Sequence, residues 1–384
     1  MIGESRTLST ERLRMGLPDI YLHRIATVVP ETSYTQEFGL QFLLRFMGDT
    51  ENKRAFLSKV YQGSAIYKRH SVVTDYHQDP RDYRFYPPNA AMTPEPGTKA
   101  RNDLFVREAN RLALKAVRDL LGLLPGLEPT RITHLITVSC TGFSAPGFDW
   151  YLARELPLDP GVRRLHLGFM GCYAAFPALR LARDICLAHP GAKVLVVNVE
   201  LCSVHFQQKF DPEVVVANAL FADGVSAAYV SADAQDAVGP RLVLREFVSR
   251  ILPDSEREMA WSVGDRGFDM RLSAYVPRLI EDNILPVLQE LLQEAGLRRE
   301  DIALWAIHPG GKAILEKVEK TLGLTRSDLR FSYDVLWNYG NMSSATIMFV
   351  LHAMLSRGGL GHIFGAGFGP GLTLETGHLE KVPA

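Results

Sequence analysis

Apolar residues fall along this chain in two recurring patterns, one at helical spacing and one in short continuous runs. From Leu104 to Leu124 they recur at three- and four-residue intervals, with Leu114, Val117, Leu120 and Leu121 on one face, which predicts a helix closed by Pro125 and Gly126. HLITVS (134–139), KVLVVNV (193–199) and VSAAYVS (225–231) are uninterrupted apolar runs that read as buried strands. Their continuity suits a sheet covered on both faces. A Gly/Pro loop passes through Pro146 and Gly147, and Cys172 to His189 reads as the next helix. The second half repeats this order. An amphipathic helix spans Val276 to Ala295, and IALWAIHP (302–309) is a buried strand that ends near His308. Helices follow at Lys312 to Leu322 and Asn341 to Leu355, and GHIFGAGFGPGLTLET supplies two last strands around a glycine-rich turn. Duplication of an α/β unit accounts for the repetition, with a junction near Ala237 to Arg241 and halves at 1–238 and 239–384.

Composition narrows the functional classes. The chain has 384 residues, 47% hydrophobic and 22% charged, the balance of a globular protein. Lys and Arg number 42 against 43 Asp and Glu, so no chain-wide basic surface faces nucleic acid. The longest apolar stretch, Ile347 to Leu355, is interrupted by His352 and far short of the roughly 18 residues of a membrane span. The first residues, MIGESRTLSTERLRMG, lack the apolar core of a secretory signal, so a soluble cytoplasmic protein is expected. Four cysteines, Cys140, Cys172, Cys186 and Cys202, form no CxxC pair, and no histidine stands at zinc-ligand spacing from them. Their default role is that of small buried apolar side chains.

Three residues stand in contexts that suit chemistry. Cys172 follows Gly171 at the start of an apolar helix, where first-turn N–H groups and the helix dipole favour thiolate. A buried structural thiol is the alternative reading. His308 ends a buried strand ahead of Pro309, Gly310 and Gly311, which let a ligand approach the backbone; a structural histidine is the alternative. Asn341 precedes the helical stretch NMSSATIMFVLHAML, where an N-cap is its ordinary role. If the halves are pseudo-equivalent, the three residues meet at one cavity, and a thiolate beside two hydrogen-bond donors suits acyl transfer through a thioester.

GFMGCYAAFPALR, WAIHPGGKAIL, NYGNMSSA and GFGPGLTLET, with ALFADGVSAA and the PGFD turn, resemble the signature segments of type III polyketide synthases, the chalcone synthase superfamily. The resemblance implies a thiolase-type five-layer αβαβα fold and a homodimer. It implies iterative decarboxylative condensation of malonyl-CoA onto an acyl-CoA starter, with CoA thioesters as substrates and no cofactor. Carried onto this chain, it makes Cys172 the acyl-accepting nucleophile. His308 would hold the thiolate as an ion pair and, with Asn341, hydrogen-bond the thioester oxygen. Phe221 matches an aromatic gatekeeper, and Met270 stands where plant members carry a second Phe. Cys140, Thr141, His205, Trp261 and Ser343 fall on cavity positions, and Gly310, Gly311 and Ala313 on the pantetheine path. In the basic cluster Lys53, Arg54 and Lys59, only Lys59 matches a phosphate-binding position; Phe56 and Gly63 replace the other two. Cys140 and the LCSVHFQ segment are similar to bacterial members that extend fatty acyl-CoA to alkylpyrones or alkylresorcinols. A 3-oxoacyl-(acyl carrier protein) synthase III-like enzyme is the nearest alternative, although HPGG replaces the HxAN pattern expected there. A Cys–His–Asn hydrolase and a silent binding protein of the same fold are further alternatives.

Overall fold

The computed structural model describes residues 16–384, so the amino-terminal segment MIGESRTLSTERLRMG lies outside the described residues apart from Gly16. Strands β1 (Tyr21–Val28) and β2 (Ser33–Thr35) lead into helices α1 (Gln36–Met47) and α2 (Glu51–Gly63). Each helix opens on a threonine, Thr35 or Thr50, whose hydroxyl accepts from the N–H three residues on. Next come β3 (Lys68–His70), α3 (Thr98–Gly122), β4 (His134–Ser139), α4 (Phe148–Glu155), β5 (Arg163–Gly168) and α5 (Ala175–Ala188). β6 (Lys193–Leu201), α6 (Pro212–Leu220) and β7 (Asp223–Ser231) follow. After the Ala237–Arg241 region come β8 (Arg241–Ile251), the hairpin of β9 (Met259–Gly264) and β10 (Gly267–Leu272), and α7 (Val276–Ala295). β11 (Ile302–Ile307), α8 (Lys312–Leu322), α9 (Arg330–Tyr339), α10 (Ser344–Arg357), β12 (Gly361–Gly369) and β13 (Thr373–Val382) complete the order.

Nine strands join in the order β11-β12-β13-β8-β1-β7-β6-β4-β5. β1 and β8 share only the pairs Tyr21↔Val243 and Leu22↔Leu242, a thin seam between two well-paired halves. Three apolar cores fill the layers around them. Leu112, Val117 and Leu120 of α3 pack on Leu135, Leu195 and Tyr229 of one half. On the far side Ile280 and Leu288 of α7 and Leu315 of α8 pack on Phe364, Phe368 and Leu374 of the other. Between them α5 and α10 bring Phe176, Leu179, Ile347 and Leu351 against both Val194 and Ile363, so the two halves of the sheet face each other across these helices. The result is the five-layer αβαβα arrangement of thiolase-type folds. β6 and β7 are buried along their whole length, as their unbroken apolar runs require. α10 is apolar on all sides because sheet covers it on both.

Candidate active site

Cys172 is placed by a tight turn. The chain leaves β5 through Phe169 (φ 57°) and Gly171 (φ 85°), and α5 begins only at Ala175. A Cβ on Gly171 would lie 2.4 Å from Pro370 Cδ, so only glycine lets this turn pack against the β12–β13 turn. The apolar pattern extends the helix back to Cys172, but this turn holds the thiol three residues ahead of it. The helix dipole therefore reaches Cys172 weakly, since its effect fades beyond the terminal turn. Hydrogen bonds from Ser343, Asn341 and the residue's own N–H favour the thiolate instead.

His308 follows β11, where its N–H donates to Ala366 O at 2.8 Å. The imidazole is 1% exposed, and neither ring nitrogen has a hydrogen-bond partner among the described residues. Buried unpaired nitrogens are costly, so a partner brought into the cavity is favoured. Asn341 does not cap a helix as an ordinary N-cap would. It lies in an extended bridge with Phe221, its N–H donating to Leu220 O at 2.9 Å and its carbonyl accepting from Ala222 N at 2.8 Å. Its Oδ1 accepts from Ser343 N at 2.9 Å, and Nδ2 donates to Gly310 O at 3.3 Å. Those two bonds fix which way the amide faces and leave a second N–H for the cavity. Ser343, the residue before α10, adopts φ 46° to make this turn.

All three side chains line one cavity of about 510 Å³. Burial pushes the Cys172 thiol up to about 11 and the His308 imidazole down to about 3. Each group taken alone is thus neutral at pH 7, and a thiolate–imidazolium pair forms only where mutual attraction exceeds both desolvation costs. A residue absent from the sequence reading touches Cys140 and acts on the Cys172 thiol through its charge. Glu200, the penultimate residue of β6, is fully buried and accepts from Cys140 N (3.1 Å), Thr141 Oγ1 (3.0 Å) and Ser344 Oγ (2.5 Å). Burial raises its carboxyl to about 7, and its charge in turn raises the Cys172 thiol. The signal was a lone acid inside the apolar run KVLVVNVEL, which demands buried partners.

The other expected residues mostly gather here as well. Cys140, Thr141, Phe221, Trp261, Met270 and Ser343 line the cavity. Cys140 Sγ stands 3.4 Å from Glu200 Oε2 and 3.2 Å from Ser343 Oγ, and burial raises its thiol well above the usual range. Trp261 and Met270 face each other across the β9–β10 hairpin, and Trp261 Nε1 donates to Cys140 O at 2.6 Å. His205 departs from the expectation, since it does not line this cavity. Its Nδ1 accepts from Phe268 N at 3.0 Å, so Nε2 carries the proton and donates to Thr141 O at 2.7 Å. Stacked on Phe268 at 4.0 Å and edge-on to Trp261, it forms a wall facing a second cavity of about 690 Å³. Trp261, Met270 and Phe221 border both cavities. Lys59, Gly310, Gly311 and Ala313 line the catalytic cavity, as do Phe56, Gly63 and Lys312. Lys53 turns away to pair with Asp49 at 2.8 Å. Among the described residues no cluster of three His, Cys, Asp or Glu could hold a metal ion, and no helix is long and apolar enough to cross a membrane.

Comparison with known proteins agrees with this geometry. Residues 17–234 match the family described as chalcone and stilbene synthases, N-terminal domain, and residues 244–383 match its C-terminal domain. The chain is 36% identical over 330 residues to the alpha-pyrone synthesis polyketide synthase-like Pks18 of Mycobacterium tuberculosis and Mycobacterium bovis, covering 84% of this chain and 81% of that protein. PKS-I from the brown alga Ectocarpus siliculosus superimposes with a TM-score of 0.86 at 30% identity, over 95% of this chain and 99% of that one. The C-terminal type III polyketide synthase domain of Steely1 from Dictyostelium gives 0.86 at 27% identity, with the same coverage. With family models matching both ends and the Cys, His and Asn side chains in one cavity, this chain belongs to the chalcone and stilbene synthase family and is an acyl-transferring type III polyketide synthase.

Proposed function

We propose that the enzyme condenses malonyl-CoA iteratively, with loss of CO₂, onto a fatty acyl starter held on Cys172, and cyclises the product to an alkylpyrone or alkylresorcinol. The observation that carries this reading is the convergence of Cys172, His308 and Asn341 on one largely apolar cavity. Exposed Lys59 and half-buried Lys312 supply positive charge for CoA phosphates at its rim, and Gly310 and Gly311 give the pantetheine arm access to backbone. The Cys172 sulfur attacks the starter thioester as its proton passes to His308, and CoA leaves. Malonyl-CoA then loses CO₂, and the Asn341 Nδ2–H and the His308 N–H stabilise the enolate oxygen. The carbanion attacks the Cys172 thioester, which returns the lengthened chain to the CoA side for another round. Loss of one such donor typically costs about 3 kcal/mol of barrier.

Likeness to an alpha-pyrone synthesis protein supports the pyrone product, and the second cavity beyond Phe221, Trp261 and Met270 supports a long apolar starter. Homodimerisation through β5 and a cytoplasmic setting with four free thiols belong to the same proposal, as do functional halves at 1–238 and 239–384. The test is incubation with malonyl-CoA and acyl-CoA starters of rising length, without carrier protein, and mass spectrometry of the products. Polyketide pyrones or resorcinols from fatty acyl starters support the reading. Activity only with acyl carrier protein, stopping after one extension, would favour the synthase III-like alternative.

A further inference from the structure

Arg69, on β3, is a cation only 4% exposed that forms no ion pair among the described residues. Its guanidinium is held by the end of a helix instead. Nη1 donates to Asn218 O at 2.7 Å and Phe221 O at 2.8 Å, while Nε donates to Gln36 Oε1 at 3.0 Å. Gln36 Nε2 donates in turn to Ala219 O at 2.7 Å, and the Asn341 N–H takes Leu220 O. A helix leaves its last four carbonyls without intrahelical partners, and here 218 to 221 are all satisfied by this one assembly. A positive charge at the negative end of α6 is also favourable.

The other side of Arg69 touches the catalytic segment. Gly340, at φ 72°, packs on the arginine stem so closely that a Cβ there would lie 2.9 Å from Arg69 Cγ and 3.0 Å from Cδ. Asn341 is the next residue, and its bridge to Phe221 lies between the two contacts. Arg69 borders the second cavity and not the catalytic one, so whatever it does to the reaction passes through these neighbours.

We propose that Arg69 is a positioning residue that fixes Asn341 and Phe221 in one register, setting the enolate donor and the gate with a single side chain. The inference rests on the reading of Asn341 as that donor. Lysine at this position keeps the charge but loses the planar fork that reaches Gln36 and two carbonyls together. Misplacement of a catalytic group by ~1 Å can cost about a hundredfold in rate.

The experiment compares Arg69→Lys, and the milder Gln36→Met, with wild type in three readouts: thermal melting, acylation of Cys172 by acyl-CoA followed by intact mass, and turnover of malonyl-CoA decarboxylation. Arg69→Lys is expected to fold and load Cys172 normally while decarboxylation falls about tenfold or more at nearly constant KM. Gln36→Met should move the same way by less, and it carries the test if the lysine variant does not fold. The double variant Arg69→Lys/Asn341→Ala should be no slower than Asn341→Ala alone, because both changes remove one interaction. Multiplicative losses in the double variant, wild-type decarboxylation in both single variants, or loading that falls in step with decarboxylation would each overturn the proposal. If wild type itself does not decarboxylate malonyl-CoA, the functional reading fails instead. Arg69 is then judged on a crystal structure of the lysine variant, where an Asn341 shift below about 0.5 Å rejects the positioning role and a larger one upholds it.

Discussion

Glu200 adds a negative charge that acts on Cys172, and its titration has two consequences. Its carboxyl is raised to about 7 in the folded protein from an ordinary 4.5, so the native state holds a proton that the unfolded chain releases. Stability linked to Glu200 is therefore fully present below pH 4.5 and is lost as the pH rises toward 7, a change on the order of 3 kcal/mol. Glu200→Gln should match wild type in denaturant unfolding near pH 4.5 and exceed it at pH 8. Because the ionised carboxylate raises the Cys172 thiol, the same variant should also be alkylated faster at Cys172 by iodoacetamide at pH 8. Asn341→Ala should lower malonyl-CoA decarboxylation by about a hundredfold while Cys172 still accepts an acyl group, which intact mass would report. At this scale the sequence was readable wherever chemistry needs an unusual neighbour, as with Gly171 before Cys172 and the glycines after His308. The Glu200 partners Cys140 and Thr141 follow the end of β4 while Ser344 opens α10, and no local pattern announces such a meeting.

Elements with strong periodicity were legible and those shaped by tertiary contact were not. The buried strands β4, β6, β7 and β11 and the helices α7 and α8 lie where apolar runs and helical spacing put them, within a residue or two. The β9–β10 hairpin is absent from the sequence reading although Met259, Trp261 and Val263, then Phe268, Met270 and Leu272, alternate with polar or small residues, because each run is only six residues long. Only cross-strand pairing puts Trp261 and Met270 side by side as the wall of the cavity. Trp261→Ala should join the catalytic space to the second cavity and lengthen the longest starter that is extended; an unchanged starter profile by mass spectrometry would show that the wall does not limit length. The turn before α5 was misread as helix because Cys172 and Tyr173 are followed by apolar residues at helical spacing. Gly171→Ala tests that turn. With φ at 85° and Pro370 in the way, it should cost more than about 1 kcal/mol in denaturant unfolding and slow Cys172 acylation.

At the scale of the molecule, the sheet ends at β5, whose outer edge pairs with no strand among the described residues and whose residues are largely exposed. Exposed Phe143, Trp150, Leu165 and Phe169 lie on and around that edge. An edge strand beside such a patch is a template for pairing with a second copy. If the proposed homodimer pairs through this edge, wild type should have the mass of a dimer in light scattering and Leu165→Lys should shift it toward monomer; a monomeric wild type or an unaltered mass in the variant would reject pairing through β5. β5 was invisible in the sequence for the same reason, since RRLHLG has no apolar run and is a strand only because β4 pairs with it. The repetition of helix and strand suggests two α/β units, and nothing in it announces the thin β1–β8 seam.

The central claim is that Cys172 carries the growing chain while His308 and Asn341 stabilise the enolate. It is tested most directly by intact-protein mass spectrometry of enzyme treated with a fatty acyl-CoA and then with malonyl-CoA. The account predicts an acyl adduct on Cys172, absent in Cys172→Ala, that grows by two-carbon ketide units when malonyl-CoA is added. An adduct on any other residue, or one that malonyl-CoA leaves unchanged, would contradict it.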